Sequence, residues 1–420
     1  MDATAWDPIV ADWIGLVVRW IHLITGIAWI GASFYFIHLD ASLRRSGSLP
    51  AGVGGEAWQV HGGGFYRMQK YLVAPAELPA HLTWFKYEAY STWLSGFVLL
   101  GLIYYLGAEL YLIDRSVMDL PVWAAVLISV VSLALGWIAY DQLCKSRLGA
   151  NTALLCALGF VFLVAASWGY TQVFSGRGAY IHAGSLIGTI MVANVFFVII
   201  PNQKIVAADL IAGRKPDPAL GEQAKQRSLH NNYLTLPVLF LMISNHYPLS
   251  FATRWNWLIV GVVIVVGAVI RHFYNMRHAG RPSPWWTWGV AAAGMALIVW
   301  LSATPPVAED STAALGGEQS SAAPVAPDAV TFAEVENIVL SRCSMCHAAE
   351  PFWEGIVAPP KGVRLDTPEM IQKHAGEIRL QATLTHAMPP GNITELSPEE
   401  RQILAAWIAA GAPLDEETKQ

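Results

Sequence analysis

The stretch PVWAAVLISVVSLALGWIAY, residues 121–140, runs for twenty residues without a charge. A helix needs about 17–25 mainly apolar residues to cross the hydrocarbon core of a bilayer, so this run reads as a membrane span. Comparable runs lie near 13–37, 92–113, 151–170, 181–200, 233–249, 256–273 and 285–303. Together they predict an all-α, polytopic bundle of about eight transmembrane helices over residues 1–303. The run at 233–249 is the shortest and contains Pro237, Asn245 and His246. Composition agrees: 54% of the 420 residues are hydrophobic and 14% charged, with a mean hydropathy of +0.41. A soluble domain carries about 25% charged residues. The net charge of −5 offers no basic surface for nucleic acid. The opening Met1-Asp2-Ala3-Thr4-Ala5-Trp6-Asp7 lacks the basic start of a cleaved signal peptide. The first run is therefore expected to be a retained, membrane-embedded helix.

Loop charge gives the orientation. The loops after the first, third, fifth and seventh runs carry 15 Lys and Arg, whereas those after the second, fourth and sixth carry 3, namely Arg115, Arg177 and Arg254. Cytoplasmic loops hold the excess of cations. Both chain ends are thus expected on the periplasmic side of a bacterial inner membrane.

After the last run, residues 304–329 are rich in Ala, Ser, Pro and Gly and read as a flexible linker. Residues 330–420 suit one small, more polar domain. Within it stands Cys343-Ser344-Met345-Cys346-His347, the attachment pattern for c-type haem. In that pattern the two thiols bond to the porphyrin vinyl groups, and the adjacent histidine coordinates iron. A thioredoxin-like pair would need a βαβ pattern around it, and a zinc site would need more Cys or His nearby; neither is present in the sequence. Met388-Pro389-Pro390 follows 41 residues after His347, where a distal methionine is expected; His347 and Met388 would be the iron ligands. A methionine that only packs, or ligation by His374 or His386, are the alternatives. Helices are expected near 331–342 and 398–410, the second opened by Ser397-Pro398-Glu399-Glu400 as N-cap, first-turn proline and capping glutamate. Such an arrangement is that of a class I-type cytochrome c domain. Its placement outside follows from the loop charges alone, and that is where haem c is assembled. Cys144 and Cys156, inside or beside apolar runs, read as structural.

Ionisable groups within spans are costly and usually functional. His22 and His182 lie in the outer halves of their runs, in the similar contexts Trp20-Ile21-His22 and Tyr180-Ile181-His182. Such a pair could bind a second, non-covalent haem b. Two loops on the cytoplasmic side are dense in polar chemistry. One runs from His61-Gly62-Gly63-Gly64-Phe65-Tyr66-Arg67 to Trp84-Phe85-Lys86-Tyr87-Glu88; the other is His230-Asn231-Asn232-Tyr233. The three glycines would let backbone approach a ligand closely, and the cations would attract an anionic substrate. His61, Arg67, Lys86, Glu88, His230 and Asn231 are the candidates for binding and proton transfer. The competing reading is a loop folded under the bundle with aromatic residues at the interface.

These motifs, with Arg19-Trp20-Ile21-His22, Ala28-Trp29-Ile30-Gly31-Ala32-Ser33-Phe34 and Ser228-Leu229-His230-Asn231-Asn232-Tyr233-Leu234-Thr235-Leu236-Pro237, resemble the cytochrome-c-fused membrane urate hydroxylases over nearly the whole chain. The first helix is also similar to that of haem-binding membrane protoporphyrinogen oxidases. The resemblance implies oxidation of urate to 5-hydroxyisourate, with water as the oxygen source and no hydrogen peroxide formed. Electrons would leave through haem c to a terminal cytochrome oxidase or a soluble cytochrome c. The main rivals are a membrane-anchored c-type electron carrier and a quinol-oxidising respiratory subunit. A haem–copper oxidase subunit would need an adjacent histidine pair, and the sequence has none.

Overall fold

A computed structural model describes residues 6–45, 49–72, 74–75, 78–79, 81–303, 330–353 and 356–414. The expected linker, 304–329, lies outside the described residues. Helix α1 runs unbroken over Trp6–Ser42. A hairpin of strands β1 (Val53–His61) and β2 (Gly64–Tyr71) follows. Next come α2 (Tyr87–Leu100), prolonged by a π-helical stretch to Tyr105, a short α3 (Ala108–Tyr111), α4 (Val122–Lys145) and α5 (Thr152–Thr171). Helix α6 (Gly176–Ala193) passes through a π-helical stretch, Asn194–Ile199, into α7 (Ile200–Ile211). Helices α8 (Pro218–Ile243), α9 (Pro248–Phe251), α10 (Asn256–His278) and α11 (Trp286–Ala303) complete the bundle.

Among the described residues, six helical segments are long and apolar enough to cross a membrane: Val10–Ser42, Val122–Lys145, Thr152–Thr171, Gly176–Ile211, Asn256–His278 and Trp286–Ala303. The other two expected spans take different forms. The run at 92–113 becomes α2 with its π extension and then breaks at Gly107. The run at 233–249 is only the apolar end of α8, whose N-terminal half is polar and which carries Pro237 inside. Helix α6 is the axis, packed against α2, α4, α5, α8 and α10. Of its most apolar window 67% is buried, against 0% for α1. Helix α1 instead shows Trp13, Trp20, Leu23 and Ile27 on the outside. An exposed apolar surface of this extent is suited to lipid. At 1.5 Å per residue, the 33-residue span Val10–Ser42 is ~50 Å long against a hydrocarbon thickness of about 30 Å. The helix is longer than the hydrocarbon it would cross, and the hairpin packs against its C-terminal end.

The hairpin corrects the all-α expectation. His61 pairs with Gly64 and Val60 with Phe65, leaving Gly62 and Gly63 as a two-residue turn with φ of +58° and +79°. Both central residues of such a turn need the left-handed region, where glycine carries no penalty. Gly62 and Gly63 thus serve the turn. An isolated hairpin is marginal in water, and this one is tied to α1. Arg44 and Glu56 exchange backbone hydrogen bonds of 2.8 and 2.9 Å. Tyr35 donates to Gln59 Oε1 at 2.8 Å, and Lys70 pairs with Asp40 at 2.7 Å.

The C-terminal region folds around its own core. Helix α12 (Phe332–Arg342) opens with a capping box of Thr331 and Glu334 and leads into α13 (Ser344–His347). Two short helices, α14 (Pro368–Lys373) and α15 (Ala375–Ile378), precede α16 (Pro398–Ala409). Helix α16 has the expected Ser397–Glu400 capping box and Pro398 in its first turn. Phe332, Val335, Val339, Ile371, Leu404 and Trp407 form the centre. Trp407 is fully enclosed and donates its indole N–H to the Pro413 carbonyl at 2.9 Å.

Candidate functional site

The candidate residues separate into four places. At the hairpin, His61 and Arg67 are exposed. Arg67 donates to Glu56 Oε2 at 2.6 Å and lies 5.5 Å over the Trp58 ring. That hydrogen bond holds the Glu56 carboxyl below its ordinary range. Lys86 and Glu88 stand at the start of α2, with Lys86 over the Tyr87 ring at 4.8 Å. Under the hairpin, the His38 and His278 rings meet edge to face at 4.4 Å, and neither Nδ1 has a hydrogen-bond partner among the described residues.

His230 and Asn231 belong to a buried polar layer between α4, α6 and α8. Arg227 and Asn231 are one turn apart on α8, so they share a face. The Arg227 guanidinium donates to Asp141 Oδ1 at 2.8 Å and to Asn194 Oδ1 at 3.2 Å. Asn194 donates to Asn231 Oδ1 at 3.0 Å and to the Tyr140 hydroxyl at 3.2 Å. Asn231 donates to the Met191 carbonyl at 2.8 Å, and His230 Nδ1 lies 2.7 Å from the Tyr140 hydroxyl. Asp141 and Arg227 are each 3% exposed. Asn194 opens the π-helical stretch of the axial helix, a local widening that recurs at functional sites. Chemically, the layer holds an ion pair inside a chain of amides, a phenol and an imidazole, and Asp141 is shared with Lys145 Nζ at 2.7 Å. It can orient groups and pass a proton.

His22 and His182 have different neighbours. His22 Nδ1 lies 2.9 Å from the Thr92 carbonyl and 3.2 Å from Ser95 Oγ. His182 is wholly buried, with Nε2 at 2.6 Å from Ser129 Oγ and Nδ1 at 2.7 Å from the Gly178 carbonyl. Tyr104, Tyr170 and Phe174 surround it. His182 Nδ1 thus faces a backbone carbonyl and Nε2 a serine hydroxyl, whereas His22 is held against α2.

In the C-terminal region, Cys343 and Cys346 are unpaired thiols. Burial pushes the Cys343 thiol up to about 12 and raises Cys346 as well. A redox-active Cys-x-x-Cys pair needs a lowered thiol, so the structure argues against that use. His347 Nδ1 lies 2.8 Å from the Val363 carbonyl. That contact fixes Nδ1 as the N–H donor and leaves Nε2 with its lone pair, as in metal-ligating histidines. Among the described residues no three His, Cys, Asp or Glu side chains converge as a metal cage would. The Met388 amide donates to Gln381 O at 2.9 Å, and its carbonyl accepts from Arg401 at 2.9 Å. Arg401 also donates to Ala382 O and Asn392 Oδ1. The donor set and its supports fit a covalently attached haem with His347 as one ligand.

Sequence reasoning missed Tyr140, Asp141, Asn194 and the His38–His278 contact, and counted Arg227 only as a loop cation. Asp141 carried a signal, since a carboxylate directly after an apolar run must find a partner. The partner, 86 residues away, is a matter of tertiary packing.

Comparison with known proteins gives one result. No curated protein and no solved structure matches the chain. A family model described as urate oxidase N-terminal matches residues 8–302, the whole helical bundle with its hairpin. The chain therefore belongs to the urate oxidase N-terminal family.

Proposed function

We propose that the protein is a membrane-bound urate dehydrogenase that passes electrons through haem c to a respiratory acceptor. Family membership over the bundle carries the substrate. The geometry at His347, with Nδ1 held by Val363 O and two unpaired cysteines beside it, supports the electron exit. The reaction balances as urate plus water giving 5-hydroxyisourate, two protons and two electrons. A C–O bond forms at C5 of the purine, and the oxygen comes from water. Bound haem c supplies a one-electron acceptor, so each turnover needs two transfers. The chain's own part is to anchor the porphyrin through Cys343 and Cys346, to present His347 Nε2, and to hold the Met388 loop by Arg401. The membrane is the bacterial inner membrane with both chain ends outside, following the loop charges.

The test uses membranes containing the full chain under anaerobic conditions. Urate is expected to reduce the haem c absorption band in the wild type, and Cys343→Ala is expected to abolish the signal. Rapid reduction by a quinol with none by urate would overturn the reading in favour of a quinol-oxidising subunit.

A further inference from the structure

Beside the hairpin, where the C-terminal end of α1 meets β1, lies a cavity of about 370 Å³. That volume falls within the roughly 300–1,000 Å³ typical of small-molecule sites. Its walls include His38 and Ser42 from the end of α1, Arg44 beyond it, and Glu56, Trp58 and Gln59 from β1. We propose that this cavity is where the substrate binds, taking a flat, singly negative oxopurine. This rests on the urate reading above and adds the place and chemistry of binding.

Charge is the first argument. The Glu56 carboxylate is already paired with Arg67 at 2.6 Å. Arg44 donates only to neutral carbonyls, Ala41 O at 3.0 Å and Leu43 O at 3.1 Å. Among the described residues no carboxylate lies within ion-pair distance of Arg44, so its charge is left for a ligand. Shape is the second. Trp58 is 61% exposed, a large flat ring at a cavity wall with Arg67 over it, suited to stacking on a heterocycle. Hydrogen bonding is the third. The Gln59 carbonyl is used by Tyr35, which leaves its amide N–H groups to donate. Among the described residues His38 Nδ1 has no hydrogen-bond partner and is buried, a cost that a ligand N–H or carbonyl would relieve. The other places lack this combination. The cavity of about 280 Å³ lined by Phe240, Ile243, Ser244, Tyr247 and Ser250 has no cation, and Arg227 in the polar layer is buried and bonded to Asp141 and Asn194.

The test is equilibrium dialysis of radiolabelled urate against the purified full-length protein with its haem reduced beforehand by dithionite, so that bound urate has no acceptor. Arg44→Gln and Trp58→Leu are each expected to weaken binding about tenfold or more, the scale of one charge-assisted contact or one aromatic stack. Arg44→Lys should retain part of the affinity. Lys70→Gln, on the hairpin but away from the cavity walls, should leave it unchanged. Hypoxanthine, flat but uncharged at neutral pH, should bind more weakly than urate. Trp58→Leu and Gln59→Leu carry the test should Arg44→Gln fail to fold, because Arg44 also caps α1. Unchanged affinity in the foldable variants, with urate still reducing haem c, would overturn this site and leave the urate reading standing. A wild type that neither binds urate nor is reduced by it would overturn both.

Discussion

Asp141 and Arg227 face each other at 2.8 Å with side chains 4% exposed on both sides, but their situations are not symmetric. Asp141 has a second cation, Lys145 Nζ at 2.7 Å, whose side chain is 62% exposed. Arg227 has no second carboxylate; its remaining partners are Asn194 and the Tyr140 ring at 5.0 Å. Removing the carboxylate therefore strands a buried guanidinium, whereas removing the guanidinium leaves Asp141 paired with Lys145. Breaking a buried pair from one side costs about 3–5 kcal/mol when the other charge is left uncompensated. Asp141→Asn is expected to incur about that full cost. Arg227→Met should cost less, and the double variant should recover much of the loss, with a coupling of at least about 1 kcal/mol. Thermal unfolding of the detergent-solubilised protein, followed by tryptophan fluorescence, gives the ranking. Arg227→Met unfolding below Asp141→Asn, or a double variant at the sum of the two losses, would refute the argument from uncompensated charge.

Three further outcomes follow from other contacts. A Cβ on Gly391 would lie 2.5 Å from the Ile113 carbonyl and 3.2 Å from that of Glu109, so Gly391→Ala should lift the Met388 loop off the bundle; haem c reduction by urate should slow while reduction by ascorbate is unchanged. Gly362→Ala is the control, because its φ of +70° carries the same backbone penalty but its Cβ would meet open space. Arg401→Met removes the hydrogen bonds to Ala382 O, Met388 O and Asn392 Oδ1, each worth about 1.5–3 kcal/mol when charge-assisted; a lower unfolding temperature of the C-terminal region and a fall in haem potential are expected, by calorimetry and redox titration. Because Arg67 lowers the Glu56 pKa, the stabilisation is complete above the unfolded carboxyl value and is lost as pH falls through the folded one. Proteolysis of the hairpin should therefore accelerate below about pH 4, and Glu56→Gln should remove that dependence.

How much was legible in the sequence depended on how local the cause was. The long apolar runs became helices because a run of that length has no other way to satisfy its backbone in lipid. The ends of α12 and α16 fell within a residue of expectation because their capping boxes are local chemistry. The hairpin was missed because most of its strand residues alternate weakly and are exposed on both faces. Its real signal was the glycine pair between Trp58, Val60, Phe65 and Tyr66, a two-residue turn flanked by strand formers. The polar layer divides the same way. His230 and Asn231 stood out as polar residues before an apolar run, whereas Tyr140 and Asn194 lie inside apolar stretches and acquire meaning only when α4, α6 and α8 pack together. His22 and His182, alike in sequence context, differ because one meets α2 from the periphery and the other is enclosed by Ser129, Tyr104, Tyr170 and Phe174 around the axis.

Loop charge and packing each distinguish the same two ends of the bundle. The cation count assigns the hairpin end, with Arg44, Arg45, Arg67, Lys70 and Lys86, to one side, and the loops holding Arg115, Arg177 and Arg254 to the other. Packing assigns the C-terminal region without reference to charge. Gly391 closes on the Ile113 carbonyl, and Ala387 joins the apolar core of the bundle there. Ile113 follows α3, next to Leu112, whose carbonyl accepts from Ser175 at the start of α6. This is the cation-poor end. From Gly176 at that end to Asn194 in the polar layer, the axial helix rises ~27 Å at 1.5 Å per residue, nearly the hydrocarbon thickness of about 30 Å. The layer of Asp141, Asn194 and Arg227 therefore lies toward the opposite end of the bundle from the one the Met388 loop packs on. On the function and site proposed above, a charged substrate at the hairpin end would meet Arg44, and electrons alone would cross the apolar interval to the end on which the Met388 loop packs.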